Sequence, residues 1–259
     1  MPRDNSEQFE IILMNLSGNT ILITGGTSGI GLAFAEQFLL SGSKVIICGR
    51  RKDRLQQIKE RFSDIVTVPC DISHPEDRRS LFNQVVQEHP ETNVLINNAG
   101  VQLVANLTRE VDLERIHSEI EINLVAPIHL ASLFADHLSA RAQPAIINIS
   151  SGLAFVPIAF MPVYCATKAA VHSITLSLRH QLKSKSVKVF EIIPPAVDTE
   201  LGHDRRADKS LTHGGMPVSE FIKAAMEALE LDQQEIAVGQ AVGLRGKREE
   251  LFDRINSHT

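Results

Sequence analysis

The amino-acid sequence predicts an α/β protein built on a doubly wound, parallel, seven-stranded sheet with helices on both faces. Three observations support this prediction. Short apolar runs alternate with amphipathic stretches, the runs are continuously apolar, and a glycine-rich loop joins the first run to the first amphipathic stretch. Strands that crossover helices bury on both faces have this character, and right-handed crossovers produce the doubly wound arrangement.

The candidate strands are seven short runs of mostly apolar residues: Thr20–Thr24, Lys44–Cys48, Ile65–Val68, Asn93–Ile96, Ala145–Ile149, Val187–Ile193 and Glu235–Val238. Between them, apolar residues recur at intervals of three and four, which is typical of amphipathic helices. The candidate helices are Leu32–Leu40, Asp53–Phe62, Glu76–Glu88, Leu113–Leu138, Val163–Leu182 and Ser219–Leu229. Ser73 and Pro75 indicate a helix start, and Gly42 indicates the end of the first helix.

Composition excludes several functional classes. Of 259 residues, 43% are hydrophobic and 22% charged, and the net charge of −5 gives no electrostatic basis for binding nucleic acid or an anionic membrane. No apolar run approaches the roughly 20 residues that span a bilayer, and no signal peptide is predicted. The histidines form no HExxH motif and the three cysteines no CxxC pair. We therefore expect no metal site and a cytoplasmic protein.

The domain organisation is predicted to be simple. The chain has no internal repeat, low-complexity tract or linker. Residues 1–13 carry no motif and are predicted to be an N-terminal extension. The remaining residues, 14–259, are predicted to form a single domain, because their length suits one large core.

The glycine-rich loop ILITGGTSGIG runs from the first strand directly into the first helix. Gly25, Gly29 and Gly31 would supply a tight turn, a close backbone approach and close packing between helix and strand. The amides at the helix start would then face a pyrophosphate. Because the fingerprint requires this strand–loop–helix context, we predict a Rossmann-type sheet that binds a dinucleotide.

This glycine spacing resembles the TGxxxGxG motif of the short-chain dehydrogenase/reductase family. Further motifs agree in order along the chain: Asn97–Gly100 resembles the family's NNAG, Ser151 its serine, Tyr164 and Lys168 its YxxxK, and Asn123 its fourth catalytic residue. The resemblance covers Leu16 to Val238. The segments ICGR, SGLAF, PVYCATKAA and LRHQL resemble the DltE-like branch, whose substrates are poorly defined.

The resemblance implies cofactor contacts from the glycine loop, from the segments after strands three and four, and from the segment after strand six. The residues concerned are Gly25, Thr27, Ser28, Gly29, Ile30, Gly31, Asp71, Ile72, Asn98, Ala99, Gly100, Tyr164, Lys168, Val197 and Thr199. Asp71 would contact the adenine, and Val197 and Thr199 the nicotinamide carboxamide. Pro194-Pro195 replaces the family's usual Pro-Gly, and proline cannot adopt the positive φ of glycine, so we expect the following turn to differ.

The chain contains a single tyrosine, Tyr164, four residues before Lys168. Helical spacing would put both side chains on one face. A free phenol has a pKa near ~10, and the nearby ammonium of Lys168 would favour the ionised form. We therefore predict that Tyr164 is a general acid/base and that Ser151 orients a carbonyl oxygen. By resemblance, Lys168 also holds the nicotinamide ribose, and Asn123 anchors a water in a proton relay.

NADP rather than NAD is predicted as the cofactor. An NAD enzyme usually places an acid at the end of strand two, but this chain has Gly49 there, followed by Arg50 and Arg51. Guanidinium groups at this point can bind a 2′-phosphate through paired, charged hydrogen bonds. A solvated basic helix start would have the same composition.

The predicted function is an oxidoreductase that transfers a hydride between NADP(H) and a ketone or secondary alcohol. The apolar residues between Ser151 and Tyr164 either line a substrate pocket or belong to the core. By resemblance, a polar loop at about 200–218 borders the substrate, and the helices Leu113–Leu138 and Val163–Leu182 form a homodimer or homotetramer interface. The alternative function is a non-catalytic dinucleotide sensor, which would not need the proton-relay residues.

Overall fold

Seven parallel strands form one sheet in the computed structural model, which describes residues 13–201 and 214–257. The strands are β1 (Thr20–Thr24), β2 (Lys44–Gly49), β3 (Val66–Pro69), β4 (Val94–Asn97), β5 (Ala145–Ile149), β6 (Lys188–Ile193) and β7 (Glu235–Ala237). Their spatial order is β3-β2-β1-β4-β5-β6-β7. The predicted fold is therefore confirmed. Most of the predicted extension and the centre of the predicted loop at 200–218 lie outside the described residues.

Helices follow the strands along the chain. Those among the described residues are α1 (Gly29–Leu40), α2 (Lys52–Arg61), α3 (Pro75–Glu88), α4 (Leu113–Ile120), α5 (Ala126–Ser139), α6 (Pro162–Gln181), α7 (Val218–Glu230), α8 (Gln240–Lys247) and α9 (Phe252–Asn256). None of these helices is long and apolar enough to cross a membrane. Gly42 follows α1 with a φ of +80°, so it ends the helix in the conformation that glycine tolerates best.

The core consists of two layers because successive side chains of a strand point to opposite faces. In β1, Ile21 and Ile23 belong to the layer that includes Phe34 of α1, whereas Leu22 belongs to the layer that includes Phe134 of α5. All five side chains are fully buried. This burial on both faces explains why the strands are continuously apolar in the sequence.

The sheet reverses its direction of winding between β1 and β4. β1 pairs in parallel with β2 on one side and with β4 on the other. In open α/β sheets, a crevice forms outside the carboxyl ends of the strands at such a reversal. The glycine loop after β1 and the NNAG segment after β4 therefore meet at the same edge of the sheet.

Two predictions about helices were incomplete. The single helix predicted over Leu113–Leu138 is divided, because Glu121–Val125 forms a π-helical turn between α4 and α5. A π-turn inserts one residue into the helical repeat and is not visible in apolar periodicity. Helices α8 and α9 were not predicted, since their sequence GQAVGLRGKREELFDRIN has three glycines and no clear apolar face.

Candidate active site

The glycine loop after β1 packs so closely that side chains are excluded, as Gly25 and Gly31 illustrate. Gly25 has a φ of +66°, and a Cβ there would lie 2.8 Å from the Cα of Ala99. A Cβ on Gly31 would lie 2.4 Å from Nδ2 of Asn98 and 2.5 Å from the carbonyl oxygen of Gly25. These glycines therefore allow β1, β4 and α1 to converge at the carboxyl edge of the sheet.

The N-terminus of α1 opens toward the cavity at this edge. Its N-cap residue, Ser28, makes no side-chain capping bond to the first turn. The Ser28 hydroxyl instead accepts a 2.9 Å hydrogen bond from Nη2 of Arg51, which also donates to Oγ1 of Thr27 at 3.1 Å. First-turn N–H groups lack helical partners, so this open end and its dipole fit a pyrophosphate.

The end of β2 has no space for an acidic side chain. A Cβ on Gly49 would lie 2.8 Å from Cγ2 of Thr27. Beyond it, Nη1 of Arg50 lies 3.8 Å from Oδ2 of Asp71. Partial burial acts to raise the pKa of Asp71, but hydrogen bonds from Ser73 and the charge of Arg50 hold it below its usual value. Asp71 is therefore ionised at neutral pH and can accept hydrogen bonds from a ligand.

The NNAG segment after β4 is fixed to β1 by hydrogen bonds. Oγ1 of Thr24 accepts from the backbone N–H groups of Asn98 and Ala99 at 3.0 Å and 3.1 Å. Nδ2 of Asn98 donates to the carbonyl of Thr24 at 2.9 Å. A Cβ on Gly100 would lie 3.7 Å from Nζ of Lys168, so this segment also adjoins the predicted catalytic residues.

Ser151, Tyr164 and Lys168 meet at the carboxyl end of β5 and the start of α6, and all three are buried. Nζ of Lys168 lies 5.8 Å from the ring centroid of Tyr164 and donates a 2.8 Å hydrogen bond to the carbonyl of Ile149. Oγ of Ser151 accepts a 3.1 Å hydrogen bond from the N–H of Leu153. The Ser151 hydroxyl can still donate its proton to a substrate oxygen.

A buried carboxylate that sequence reasoning missed lies behind these residues. Glu191 of β6 is fully buried and accepts hydrogen bonds from Oγ of Ser150 at 2.5 Å and from Nδ1 of His172 at 2.7 Å. Burial lowers the pKa of Lys168 to about 8, and the negative charge of Glu191 opposes this shift. Glu191 therefore helps to keep Lys168 charged. An acid within the apolar strand VFEII was the signal that could have identified it.

Asn123 lies in the π-helical turn and holds the backbone that follows the NNAG segment. Its Oδ1 accepts from the N–H of Val101, and its Nδ2 donates to the Val101 carbonyl, both at 2.8 Å. Nδ2 also donates to Oγ1 of Thr167 at 3.2 Å. Nearby, the buried Glu119 accepts a 3.0 Å bond from the N–H of Leu103, and burial raises the pKa of this carboxyl.

The turn after β6 accommodates Pro195, and residues that follow Pro195 still line the cavity. Val197 forms an isolated parallel bridge with Met216, and the N–H of Asp198 donates to the Met216 carbonyl at 2.9 Å. A Cβ on Gly29 would lie 3.2 Å from Cβ of Thr199, so Thr199 adjoins the glycine loop. The altered Pro-Pro turn thus keeps Val197 and Thr199 beside the predicted cofactor site.

One cavity of about 1290 Å³ runs along this edge of the sheet. The predicted site residues that line it are Gly25, Thr27, Ser28, Gly29, Ile30, Arg50, Arg51, Asp71, Ile72, Asn98, Ala99, Gly100, Ser151, Tyr164, Lys168, Val197 and Thr199. Gly31 and Asn123 support it from behind. Sequence reasoning missed a further wall, contributed by α8 and α9, because no motif marks those helices. The glycine cradle and the open α1 terminus fit a dinucleotide along this cavity.

Comparisons with known proteins agree with this geometry. The family model described as short chain dehydrogenase matches residues 19–210. A curated relative from Bacillus subtilis (strain 168), described as an uncharacterized oxidoreductase DltE, is 42% identical over 249 residues, covering 93% of this chain and 96% of the relative. The match therefore extends beyond the motifs to nearly the whole chain.

Solved structures share the fold. A short-chain dehydrogenase from Sphingobium yanoikuyae in complex with NADPH has a TM-score of 0.75 and 29% identity, covering 85% of this chain and 87% of that one. A short-chain dehydrogenase/reductase from Burkholderia phymatum in complex with NAD has a TM-score of 0.81 and 21% identity, covering 90% and 94%. The present chain belongs to the short-chain dehydrogenase/reductase family of oxidoreductases, in its DltE-like branch.

Proposed function

We propose that this protein transfers a hydride between NADP(H) and a ketone or secondary alcohol, with Tyr164 as the general acid/base. This proposal rests on one observation: Ser151, Tyr164 and Lys168 line the same cavity as the glycine loop. When bound, the nicotinamide ring supplies or accepts the hydride. The chain's own residues then have to orient the substrate oxygen and move one proton.

Three side chains divide this work. In the direction of reduction, the hydroxyl of Tyr164 gives its proton to the substrate oxygen, and in oxidation the phenolate takes that proton back. The Ser151 hydroxyl donates a hydrogen bond to the same oxygen and so fixes its position. The buried ammonium of Lys168 stabilises the phenolate, since opposite charges interact strongly where water is excluded.

We assign Asn123 to the proton path through its backbone rather than its side chain. Its side-chain amide is engaged by Val101 and Thr167. In an α-helix, the Asn123 carbonyl would accept from the N–H four residues later, but that residue is Pro127, which has no N–H. The carbonyl therefore lacks its α-helical donor at the π-turn, which suits it to accept a hydrogen bond from a relay water.

The end of β2 supports the proposed preference for NADP. An acid at Gly49, which would hold ribose hydroxyls in an NAD enzyme, would collide with Thr27. Arg50 is 57% exposed and lines the cavity, so its guanidinium is available to a 2′-phosphate. Arg51 is partly neutralised by Glu200, whose carboxylate it contacts at 2.9 Å. We therefore expect Arg50 to provide most of the preference.

The test measures NADPH oxidation by the purified protein against a panel of ketones, keto acids and aromatic carbonyls. Tyr164→Phe should bind NADPH with nearly unchanged affinity and lose turnover, because it lacks only the proton-bearing oxygen. Turnover by this variant at the wild-type rate would refute the mechanism. Tight NADPH binding without turnover of any carbonyl compound would instead favour the dinucleotide sensor.

Cofactor preference is tested by fluorescence titration with NADPH and NADH. Arg50→Ala should weaken NADPH binding by roughly ten-fold or more while changing NADH binding little, since only NADPH carries the 2′-phosphate. Lys183→Ala removes one positive charge at an exposed site that does not line the cavity and serves as the control. Equal losses for both cofactors would refute the assignment.

We also propose a homodimer or homotetramer assembled through α4, α5 and α6. Each of these helices exposes a large apolar side chain, namely Leu113 (60%), Ile128 (43%) and Leu176 (45%). Contiguous exposed apolar surface is typical of subunit interfaces, and we propose that these three side chains form part of such a surface. Leu176→Glu should lower the mass measured by sedimentation equilibrium, whereas Leu231→Glu, at another exposed leucine, should not. An unchanged mass for Leu176→Glu would contradict this interface.

A cytoplasmic location is proposed as well. Cys48, Cys70 and Cys165 are all free and buried, and free thiols persist in reducing compartments. Fractionation of cells followed by detection with a specific antibody tests this proposal, and recovery of the protein in a secreted or envelope fraction would refute it.

A further inference from the structure

The helices α8 and α9 form one wall of the cavity next to the residues proposed for catalysis. Leu244 of α8 contacts the turn that follows Ser151 so closely that a Cβ on Gly152 would lie 2.7 Å from its Cδ1. Leu251 and Ile255 pack with Phe155 in a small apolar cluster. The C-terminal helices are therefore in direct contact with the segment between Ser151 and Tyr164.

Asn256 attaches α9 to this segment at two points. Its Oδ1 accepts a 2.6 Å hydrogen bond from the N–H of Ala159, and its Nδ2 donates to the carbonyl of Pro157 at 3.1 Å. These bonds join backbone groups to a side chain far along the chain. They hold α9 against the cavity and fix which of its side chains line it, namely Arg254 and Ile255.

The segment itself contributes apolar side chains to the cavity lining. Leu153, Ile158 and Met161, from the segment between Ser151 and Tyr164, line the cavity there. Leu244, Leu251 and Ile255 continue this apolar lining on the C-terminal side. A ligand in contact with both sets of side chains would bury apolar surface, which favours a ligand with a hydrophobic body.

Charge is distributed unevenly along the cavity lining. At the end near β2, each arginine has a carboxylate nearby: Asp71 lies 3.8 Å from the exposed Arg50, and Glu200 lies 2.9 Å from Arg51. At the other end, Arg254 is the charged lining residue that the C-terminal helices contribute, and no ion pair to it is found within residues 13–201 and 214–257. Since the described part of the chain offers this guanidinium no carboxylate partner, its place beside an apolar pocket suits an anionic ligand group.

Building on the proposed function, we infer that the substrate is a carbonyl compound with an apolar body and an anionic group such as a carboxylate, and that Arg254 binds this anion. The carbonyl oxygen is directed to Ser151 and Tyr164, and the apolar body contacts Leu153 and Ile255. Arg254 is thus a specificity-determining residue of the C-terminal wall. Its contribution is to substrate binding and not to the proton transfer itself.

The test compares benzoylpropionate and its longer homologues with their methyl esters, so that each pair differs in one negative charge. Binding to the Tyr164→Phe protein saturated with NADPH is measured by calorimetry, which requires no turnover. The acid of at least one length should bind roughly ten-fold or more tightly than its ester, the difference expected for a charged hydrogen-bonded pair. Adding Arg254→Ala should remove this preference, and adding Arg254→Lys should retain part of it.

The matched control is Arg248→Ala, which removes a neighbouring arginine whose guanidinium lies 5.9 Å from the ring centroid of Phe155 and which does not line the cavity. It should leave the ratio of acid to ester affinity unchanged. The inference would be overturned if the parent protein bound acid and ester equally well. It would also be overturned if Arg254→Ala weakened the binding of acid and ester by the same factor. A failure of the proposed function is distinct, since it appears as missing Tyr164-dependent turnover while the binding ratio persists.

Discussion

Replacing Lys168 with methionine should change how the stability of the cofactor-free protein depends on pH. Lys168 is buried, and its pKa is lowered from 10.5 to about 8, chiefly by burial. Holding a charged ammonium in this site therefore costs folding free energy. With about 1.4 kcal/mol for each pKa unit, the full shift corresponds to roughly 3 kcal/mol.

The sign follows from proton binding. Between pH 8 and pH 10.5 the unfolded chain keeps the Lys168 proton, whereas the folded protein has lost it. Stability rises with pH wherever the unfolded state binds more protons, so this lysine makes the folded protein more stable as pH increases through that window. Lys168→Met has no such proton. Its free energy of unfolding relative to the parent should therefore fall by roughly 3 kcal/mol from about pH 7 to about pH 10.5.

The assay is urea unfolding followed by far-ultraviolet circular dichroism, because the chain has no tryptophan. Tyr164→Phe is used as the parent, which removes the coupled titration of the phenol. Lys183→Met, at an exposed site, is the control and should show a difference from the parent that does not vary with pH. A pH-independent difference for Lys168→Met would refute the argument that burial controls this pKa.

Three further outcomes are expected. Glu191→Gln should lower the pKa of Lys168 further, because a neutral amide no longer opposes the effect of burial. The alkaline limb of the pH profile of kcat/KM for carbonyl reduction should therefore move to lower pH. Gly31→Ala should weaken NADPH binding by ten-fold or more in fluorescence titrations, since its Cβ would collide with Asn98 and the loop backbone. Phe134→Ala should lower the free energy of unfolding by about 3–5 kcal/mol in urea titrations, because the ring is fully buried.

Two of these variants have a matched control. Glu235→Gln is the control for Glu191→Gln, because Glu235 of β7 is the residue that pairs with Glu191 in the sheet. It should leave the pH profile of kcat/KM unchanged. Gly246→Ala adds a Cβ with nothing within 4 Å and should not affect NADPH binding. An unshifted pH profile for Glu191→Gln would contradict the argument about Lys168, and an unchanged NADPH affinity for Gly31→Ala would contradict the argument about the loop. For Phe134→Ala, a loss of unfolding free energy below about 1 kcal/mol would contradict the argument from burial.

The sequence alone was sufficient for the sheet, the order of its strands along the chain and the lining of most of the cavity. These features depend on local patterns. Burial on both faces makes a strand apolar throughout, and a close approach between backbones requires glycine at Gly25 and Gly31 whatever the rest of the chain does. The family motifs then indicated Ser151, Tyr164 and Lys168 as a group.

Tertiary structure decided what lies around that group, because contacts between residues far apart in the sequence leave no periodic pattern. Glu191 lies behind Lys168 only because β6 pairs with β5 in the observed register. The π-turn at Asn123 lies between α4 and α5, and apolar spacing alone did not predict it. Likewise, Asn256 brings Arg254 to the cavity through bonds to Pro157 and Ala159. The sequence therefore determined the residues proposed for catalysis, whereas the proposed substrate wall depends on how the C-terminal helices pack.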